Sequence, residues 1–337
     1  MSHPTVLTII LNYKTAPMTQ KSIAAARAAM AGLSGEITVV DNASQDGSFE
    51  TLSAYVAGLG PDPDIPVRVL ASGRNGGFGA GNNVGIRAGL KDGSKPDYVY
   101  VLNSDAFPDK DAIRLLLAHL QTHPDAGFAG SYIHGEDGDT HLTTFRFPSV
   151  FSEFEGAIQF GPVSRLLAKY AVPVKTPDTV TPVDWLAGAS IMMRQSVLDE
   201  IGIFDEEFFL YFEETDLCRR AHLAGHQTVF VPQSRVAHIG SVSTGMKTWG
   251  RVPGYWFASR RYYFTKNHGR LYAGLATLAH LAGGGLHWLR CLVTRRANNT
   301  PSHFLRTLAW HDLTARRREN PKPQPALTST PHPTTGE

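Results

Sequence analysis

Disulfide chemistry is nearly absent: the 337 residues include two cysteines, Cys218 and Cys291. That excludes a disulfide scaffold and a four-cysteine zinc site. A surplus of one charge is also missing, with 32 Lys+Arg against 30 Asp+Glu. A general nucleic-acid binder needs such a surplus, so no nucleic-acid partner is expected. The 32 glycines and 21 prolines follow no collagen period. With 42% apolar residues the chain is too hydrophobic to be disordered. No secretory segment is read at the start, because Met1–Thr5 lacks a charged lead and Val6–Leu11 is too short for a secretory core. A cytoplasmic location with reduced cysteines is the expectation.

What is present is alternation. Val6–Leu11, Ile37–Val40, Val67–Leu70 and Tyr98–Leu102 are short apolar, β-branched runs. Helical patterns separate them at Met18–Met30, Phe49–Val56 and 80–91, and another follows at Asp111–Gln121. This predicts an α/β fold with a mostly parallel sheet. Further on, the pattern predicts a helix from Phe151 to Tyr170 and a strand from Val183 to Met193. It also predicts short strands at Thr228–Val231 and Arg235–His238.

The last third differs. Lys247 to Arg318 holds thirteen Lys and Arg but a single acid, Asp312, so the remainder of the chain is acidic. Leu271–Val293 is long enough for a membrane span, but His280, His287, Arg290 and Gly283–Gly285 interrupt it. It is read as part of an interfacial helix pair suited to an anionic membrane surface. A helical bundle packed on the first domain is the alternative. Residues 320–337, with five prolines, are expected to be a disordered tail.

Parallel sheets bind ligands beyond the carboxyl ends of their strands. Polar clusters sit there: Asn12-Tyr13, Asp41–Ser44, Arg74–Gly79 and Asn103–Asp105. Asp41 can accept from a pyrimidine imide N–H, or it can cap a turn. The stretch from Asn75 to Asn83 lets a ligand approach backbone at a helix start, but it has neither dinucleotide-fingerprint spacing nor a Walker lysine. Asn103-Ser104-Asp105 suits Mg²⁺ or Mn²⁺ on a diphosphate, or a capped turn. Glu213-Glu214-Thr215-Asp216 opens a helix after an aromatic stretch; carboxylates beside an apolar wall can have raised pKa values and act as bases. The same acids also suit the helix dipole, and Asp216 is spaced for a surface ion pair with Arg219 or Arg220. His238 gains meaning only if it converges with Asp105.

Taken in order, these motifs resemble the family 2 inverting glycosyltransferases of GT-A fold, in their rhamnosyltransferase-like and galactofuranosyltransferase-like branch. The anchors are Asn12-Tyr13, Val40–Ser44, Asn75–Gly79 with Asn82-Asn83, Leu102–Asp105, Trp185–Ala189, Phe209–Leu217 and His238. The resemblance spans about residues 5–245. It implies a Rossmann-like nucleotide-diphospho-sugar transferase fold: a mixed, mostly parallel sheet flanked by helices, with a C-terminal helical extension. Domain limits of 1–246, 247–318 and 319–337 are expected.

The resemblance also implies roles. Asp41 would hold the base, with Asn12 and Asn42 nearby. Asn75, Gly76, Gly77, Phe78 and Asn82 would line the ribose and donor sugar. Asn103 and Ser104 would lie beside Asp105, which with His238 would bind Mg²⁺ or Mn²⁺. Glu214 would be the catalytic base, Glu213 would position it or the acceptor, and Asp184 and Trp185 would contact sugar.

Two departures stand out: Asn103 replaces a usual aspartate in the metal motif, and the base pair is Glu-Glu. The implied activity is inverting transfer from a nucleotide-diphosphate donor, best matched by dTDP-rhamnose, to a glycan or lipid-linked acceptor at the inner face of the cell membrane. A non-catalytic nucleotide-sugar-binding module is the alternative. An oxidoreductase would need the glycine fingerprint after the first strand, and a glycosidase would need its two carboxyls flanking the scissile bond.

Overall fold

The computed structural model describes residues 3–60, 65–135, 137–240, 250–298 and 300–315. The expected tail and the 246/247 boundary lie outside these residues.

The first half alternates as the apolar runs require: β1 (Thr5–Asn12), α1 (Ala16–Met30), β2 (Ser34–Asp41), α2 (Ser48–Gly58), β3 (Val67–Ala71), α3 (Gly77–Ala88) and β4 (Tyr98–Asn103). Then come β5 (Ala106–Pro108), α4 (Ala112–Thr122), β6 (Ala126–His134), β7 (Thr144–Phe145), α5 (Val150–Ile158) and α6 (Gly161–Leu166). The second half adds β8 (Thr181–Val183), β9 (Trp185–Leu186), β10 (Ser190–Arg194), α7 (Gln195–Ile201), α8 (Glu213–Leu223) and β11 (Gln227–His238). Two helices end the described residues, α9 (Gly254–Thr294) and α10 (Phe304–Thr314).

Nine strands form one mixed sheet, ordered β3-β2-β1-β4-β10-β6-β11-β5, with β8 also on β11. β1 to β4 are mutually parallel, so the ends Asn12, Asp41 and Asn103 align along one edge. β10 runs antiparallel between β4 and β6, while β11 is parallel to β6. Alternate side chains feed two cores. One holds Ile23 and Met30 of α1, Leu52 of α2 and Leu116 of α4. The other holds Ile86 of α3, Val197 of α7 and Leu217 and Cys218 of α8.

Several expectations are corrected. The helix over 151–170 breaks where Gln159 enters the left-handed region, at φ 45°; Pro162 then starts α6. The strand over 183–193 is three pieces, because Ala187-Gly188-Ala189 leaves the ladder to line the site. The two strands at 228–238 are one, whose register shifts between Val231 and Arg235, across Pro232. Proline cannot donate to the ladder, which accounts for the irregularity.

Leu271–Val293 is the second arm of α9, whose first arm ends at a kink where Gly269 has φ 85°. Small residues of this arm pack on α5 and α10, Gly283 against Phe154 and Gly284 against Leu305. The basic surplus is also partly spent inside the molecule. Arg260, fully buried, ion-pairs with Glu153 at 2.8 Å and Asp312 at 3.5 Å. Lys266 pairs with Asp205 at 2.7 Å and Asp216 at 2.8 Å. No helix among the described residues is long and apolar enough to cross a membrane.

Candidate active site

Asn12 ends β1 with every polar side-chain atom in use. Its amide nitrogen donates to Asp41 Oδ1 at 2.7 Å and Ser44 Oγ at 3.2 Å. Its oxygen accepts from the Thr15 and Thr19 hydroxyls at 3.1 and 2.7 Å. Asn12 therefore pins two strand ends together. Asp41 is a turn cap, as the bland reading had it: Oδ2 accepts the Ser44 N–H at 3.1 Å. A carboxylate has about four acceptor directions, so two protein donors on Oδ1 and one on Oδ2 still leave Oδ2 able to accept from a ligand. The Asp46 carboxyl, held by Ser48, lies outside this cluster.

The glycine-rich turn is docked against the chain entering α8. Asn42 donates to Asn75 Oδ1 at 3.0 Å and to the Gly77 carbonyl at 3.1 Å, and the Phe78 N–H donates to the Phe209 carbonyl at 3.0 Å. Gly77 has φ 89°, and a Cβ there would sit 1.7 Å from the Phe209 oxygen. That close approach requires glycine. Gly76 is crowded too, 2.7 Å from the Ala80 Cβ. The buried side-chain oxygens of Asn42 and Asn82 have no hydrogen-bond partner. Such orphans are rare and costly, about 1–3 kcal/mol each. Two beside one glycine turn mark a place where a ligand donor would fit.

At the β4 end, Asn103 Nδ2 lies 3.2 Å and Asp105 Oδ1 3.1 Å from the same atom, His238 Nε2. His238 is brought there by β11, where it pairs with Ala106 of β5. One ring nitrogen cannot both accept from an amide and donate to a carboxylate. Ser104 is held by the Thr15 hydroxyl at 3.1 Å. The His141 ring stands 6.1 Å from that of His238, which the motif reading missed. No group of three or more His, Cys, Asp or Glu among the described residues is arranged to hold a metal alone.

Glu213 and Glu214 open α8 after two consecutive left-handed residues, Tyr211 and Phe212, at φ 69° and 71°. Non-glycine residues there cost about 1–3 kcal/mol each. Glu213 is buried, Glu214 partly so, and one carboxylate oxygen of each has no partner. Burial pushes the Glu213 carboxyl well above the ordinary range, and the Glu214 charge adds to that. Burial raises Glu214 as well, but the Gly188 N–H stabilises its ionised form. Sequence reasoning passed over Gly188, although the Trp185–Ala189 motif contains it. The segment connects both halves of the site: Asn103 N–H donates to the Ala189 carbonyl at 3.0 Å. A Cβ on Gly188 would sit 3.1 Å from the Phe78 ring and 3.7 Å from Glu214 Oε1.

Asp216 overturns the surface-pair reading. It is fully buried, and besides Arg220 at 2.9 Å it meets Lys266 and Asn267 of α9. Lys266 lies fifty positions away, so local spacing could not announce it. Asp184 and Trp185 serve the backbone: Asp184 accepts the Phe147 N–H at 2.8 Å and Trp185 Nε1 donates to the Arg146 carbonyl at 2.9 Å. The Trp185 ring stacks on Phe145 at 4.1 Å. Neither cysteine offers a nucleophile: Cys291 is buried, and burial pushes the Cys218 thiol up to about 12.

A parallel strand unit with polar clusters at its carboxyl edge, continued by an antiparallel β10 and an acidic helix start, defines a GT-A nucleotide-diphospho-sugar transferase fold. The chain belongs to glycosyl transferase family 2, whose model matches residues 5–202, and it is a glycosyltransferase. It is 31% identical over 219 residues to the N-acetylglucosaminyl-diphospho-decaprenol L-rhamnosyltransferase of Mycobacterium tuberculosis (strain CDC 1551 / Oshkosh), covering 62% of this chain and 68% of the relative. To the rhamnosyltransferase WbbL of Escherichia coli (strain K12) it is 29% identical over 165 residues, 48% of this chain and 60% of the relative. The S. aureus TarS 1-349 structure in complex with UDP-GlcNAc superposes with a TM-score of 0.56 at 12% identity, over 91% of this chain and 79% of that one. That likeness bears on the fold alone.

Proposed function

We propose that the protein transfers L-rhamnose from dTDP-rhamnose, with inversion, to a hydroxyl of a glycan or lipid-linked acceptor, in cell-surface polysaccharide synthesis. It would work as a peripheral protein at the inner face of the cell membrane. The rhamnosyltransferase names of two relatives, one of them acting on a decaprenol-linked sugar, support the choice of donor and acceptor.

The observation that carries the reading is the convergence of Asn103, Asp105 and His238 at one corner with Glu214 across Gly188. Asp105 Oδ1 and His238 Nε2 stand 3.1 Å apart. Ligands on adjacent corners of an octahedron with bonds of about 2.1 Å are separated by about 3 Å. Asp105 and His238 at that distance fit Mg²⁺ or Mn²⁺ and would hold it, with the donor diphosphate as a further ligand. A cation held by Asp105 and His238 would offset the charge that grows on the departing diphosphate.

The protein's own residues do the rest. Asp41 accepts the imide N–H of the base. Asn42, Asn75 and Asn82, with the backbone of Gly76, Gly77 and Phe78, line the ribose and donor sugar. Asn103 and Ser104 hold the turn that carries Asp105. Asp184 and Trp185 brace the ribbon beside the sugar. Glu214 takes the acceptor hydroxyl proton as that oxygen attacks the anomeric carbon from the face opposite the diphosphate. Glu213, whose carboxyl burial pushes well above the ordinary range, favours its neutral form and so leaves the negative charge to its neighbour.

A thermal-shift screen of nucleotide sugars with Mn²⁺, followed by product analysis, tests this. Stabilisation by dTDP-rhamnose and a rhamnosylated product support it. Stabilisation by another nucleotide sugar, with dTDP-rhamnose inert, removes the donor assignment.

A further inference from the structure

The second arm of α9 is inside-out. A helix on a globular protein turns its large apolar residues to the core. Here the core side carries Ala273, Ala276, Thr277, Gly283, Gly284 and Cys291, all buried. There is no room for more: a Cβ on Gly283 would lie 2.7 Å from the Phe154 carbonyl oxygen, and one on Gly284 would lie 2.6 Å from the Leu305 side chain. The large residues face outward instead. Leu271, Leu275, Leu278, Leu286, Leu289 and Val293 fall on one stripe at spacings of four, three, eight, three and four, and are 47–81% exposed. α10 packs on the other, buried side of this arm, with Leu305 against Gly284 and Asp312 against Thr277. Isolated exposed leucines need no explanation, but a continuous stripe of this length does.

The charge around the stripe is of one sign. Arg295 and Arg296, which follow the stripe directly after Val293 and Thr294, are exposed, and no ion pair among the described residues neutralises them. The one acid of this helix pair, Asp312, is engaged by Arg260, Arg261 and His311. A second copy of the chain would bring the same cations against these cations, so the face does not complement itself. An anionic lipid surface complements both features: the leucines enter the acyl boundary while the arginines meet phosphate.

We propose that the outward stripe of α9 is a docking surface for an anionic bilayer, lying in the interface plane. It serves the lipid-linked acceptor reading above, but its geometry stands apart from that reading. Docking would put the enzyme on the surface where such an acceptor is held.

Co-sedimentation with phosphatidylglycerol-containing vesicles, compared with phosphatidylcholine vesicles, tests it on the full chain without any sugar transfer. The wild type should partition onto the anionic vesicles, weakly onto neutral ones, and should be released by salt. The L275E/L278E/L289E variant should lose partition by about tenfold or more, and R295E/R296E by about tenfold. Unchanged melting temperatures show that both variants fold, since the altered side chains face outward. Light scattering supplies the competing result. A wild-type dimer that L275E/L278E/L289E converts to monomer, without vesicle binding, overturns the proposal in favour of a second copy. Equal partition of wild type and variants, or none by the wild type at low salt, also overturns it. Failure of dTDP-rhamnose binding, measured separately, would touch the donor assignment alone.

Discussion

Substituting the two adjacent glutamates separately discriminates the base from its neighbour. Glu214→Gln keeps the side-chain shape and its contact with the Gly188 N–H but removes the proton acceptor. A positioned general base contributes about 10²–10⁴ in rate, and each tenfold loss is about 1.4 kcal/mol of barrier. The variant should therefore lose about 3–5 kcal/mol of transition-state stabilisation, seen as slower acceptor-dependent release of dTDP. Donor affinity, read by calorimetry with dTDP-rhamnose, should stay within about threefold, because the base touches the acceptor oxygen. Glu213→Gln should behave differently. Burial and the neighbouring charge push that carboxyl well above the ordinary range, which favours its neutral form; glutamine imitates that form, so turnover should fall by less than about tenfold.

The pH dependence has a definite sign. Burial raises the Glu214 pKa above its ordinary 4.5, and the base works only when ionised. The rate should therefore climb with pH through that raised value, with its acid limb above pH 4.5 and absent from Glu214→Gln. Wild-type rates in Glu214→Gln, or a thousandfold loss in Glu213→Gln with little in Glu214→Gln, would refute the reasoning.

Asp105→Ala should abolish the Mg²⁺- or Mn²⁺-dependent part of donor binding, and His238→Ala should weaken it by about 10–100-fold; calorimetry with and without the cation reads both. Gly77→Ala should destabilise the fold by several kcal/mol, because φ 89° and the Phe209 oxygen at 1.7 Å both oppose a Cβ; urea unfolding measures it. Arg260→Met should cost about 3–5 kcal/mol by removing the buried guanidinium that Glu153 and Asp312 share. Burial alone would raise the Glu153 carboxyl, but Arg260 and His280 overcome it and hold it at about 2. That depressed value stabilises the fold fully above its unfolded pKa near 4.5 and is lost as pH falls toward 2. Melting curves between pH 6 and 2 should show the wild type losing this increment while Arg260→Met, already without it, loses less.

The parallel half of the fold was legible because β1, β2 and β4 are buried on both faces. A continuous β-branched run has no other stable use in a soluble α/β chain. The site was legible where function needs special backbone, as at Gly77. It was not legible where the partner is remote. Asp216 reads as a surface acid until Lys266 of α9 is beside it. Asn12 reads as a ligand contact until Thr15, Thr19, Asp41 and Ser44 are seen to use both ends of its amide. The sequence marked Leu271–Val293 as an interfacial helix but not which side packs inward, because the glycines and alanines of its packed side carry little hydrophobic signal.

The account rests on one cleft shared by the strand-end cluster and the α8 glutamates. Diffraction from crystals grown with dTDP-rhamnose and Mn²⁺ tests it most directly. The account predicts an anomalous manganese peak within bonding distance of Asp105 Oδ1 and His238 Nε2. The diphosphate should lie against that peak, and the rhamnose anomeric carbon should face Glu214. A manganese peak elsewhere, or a donor bound with its sugar turned away from α8, would contradict it.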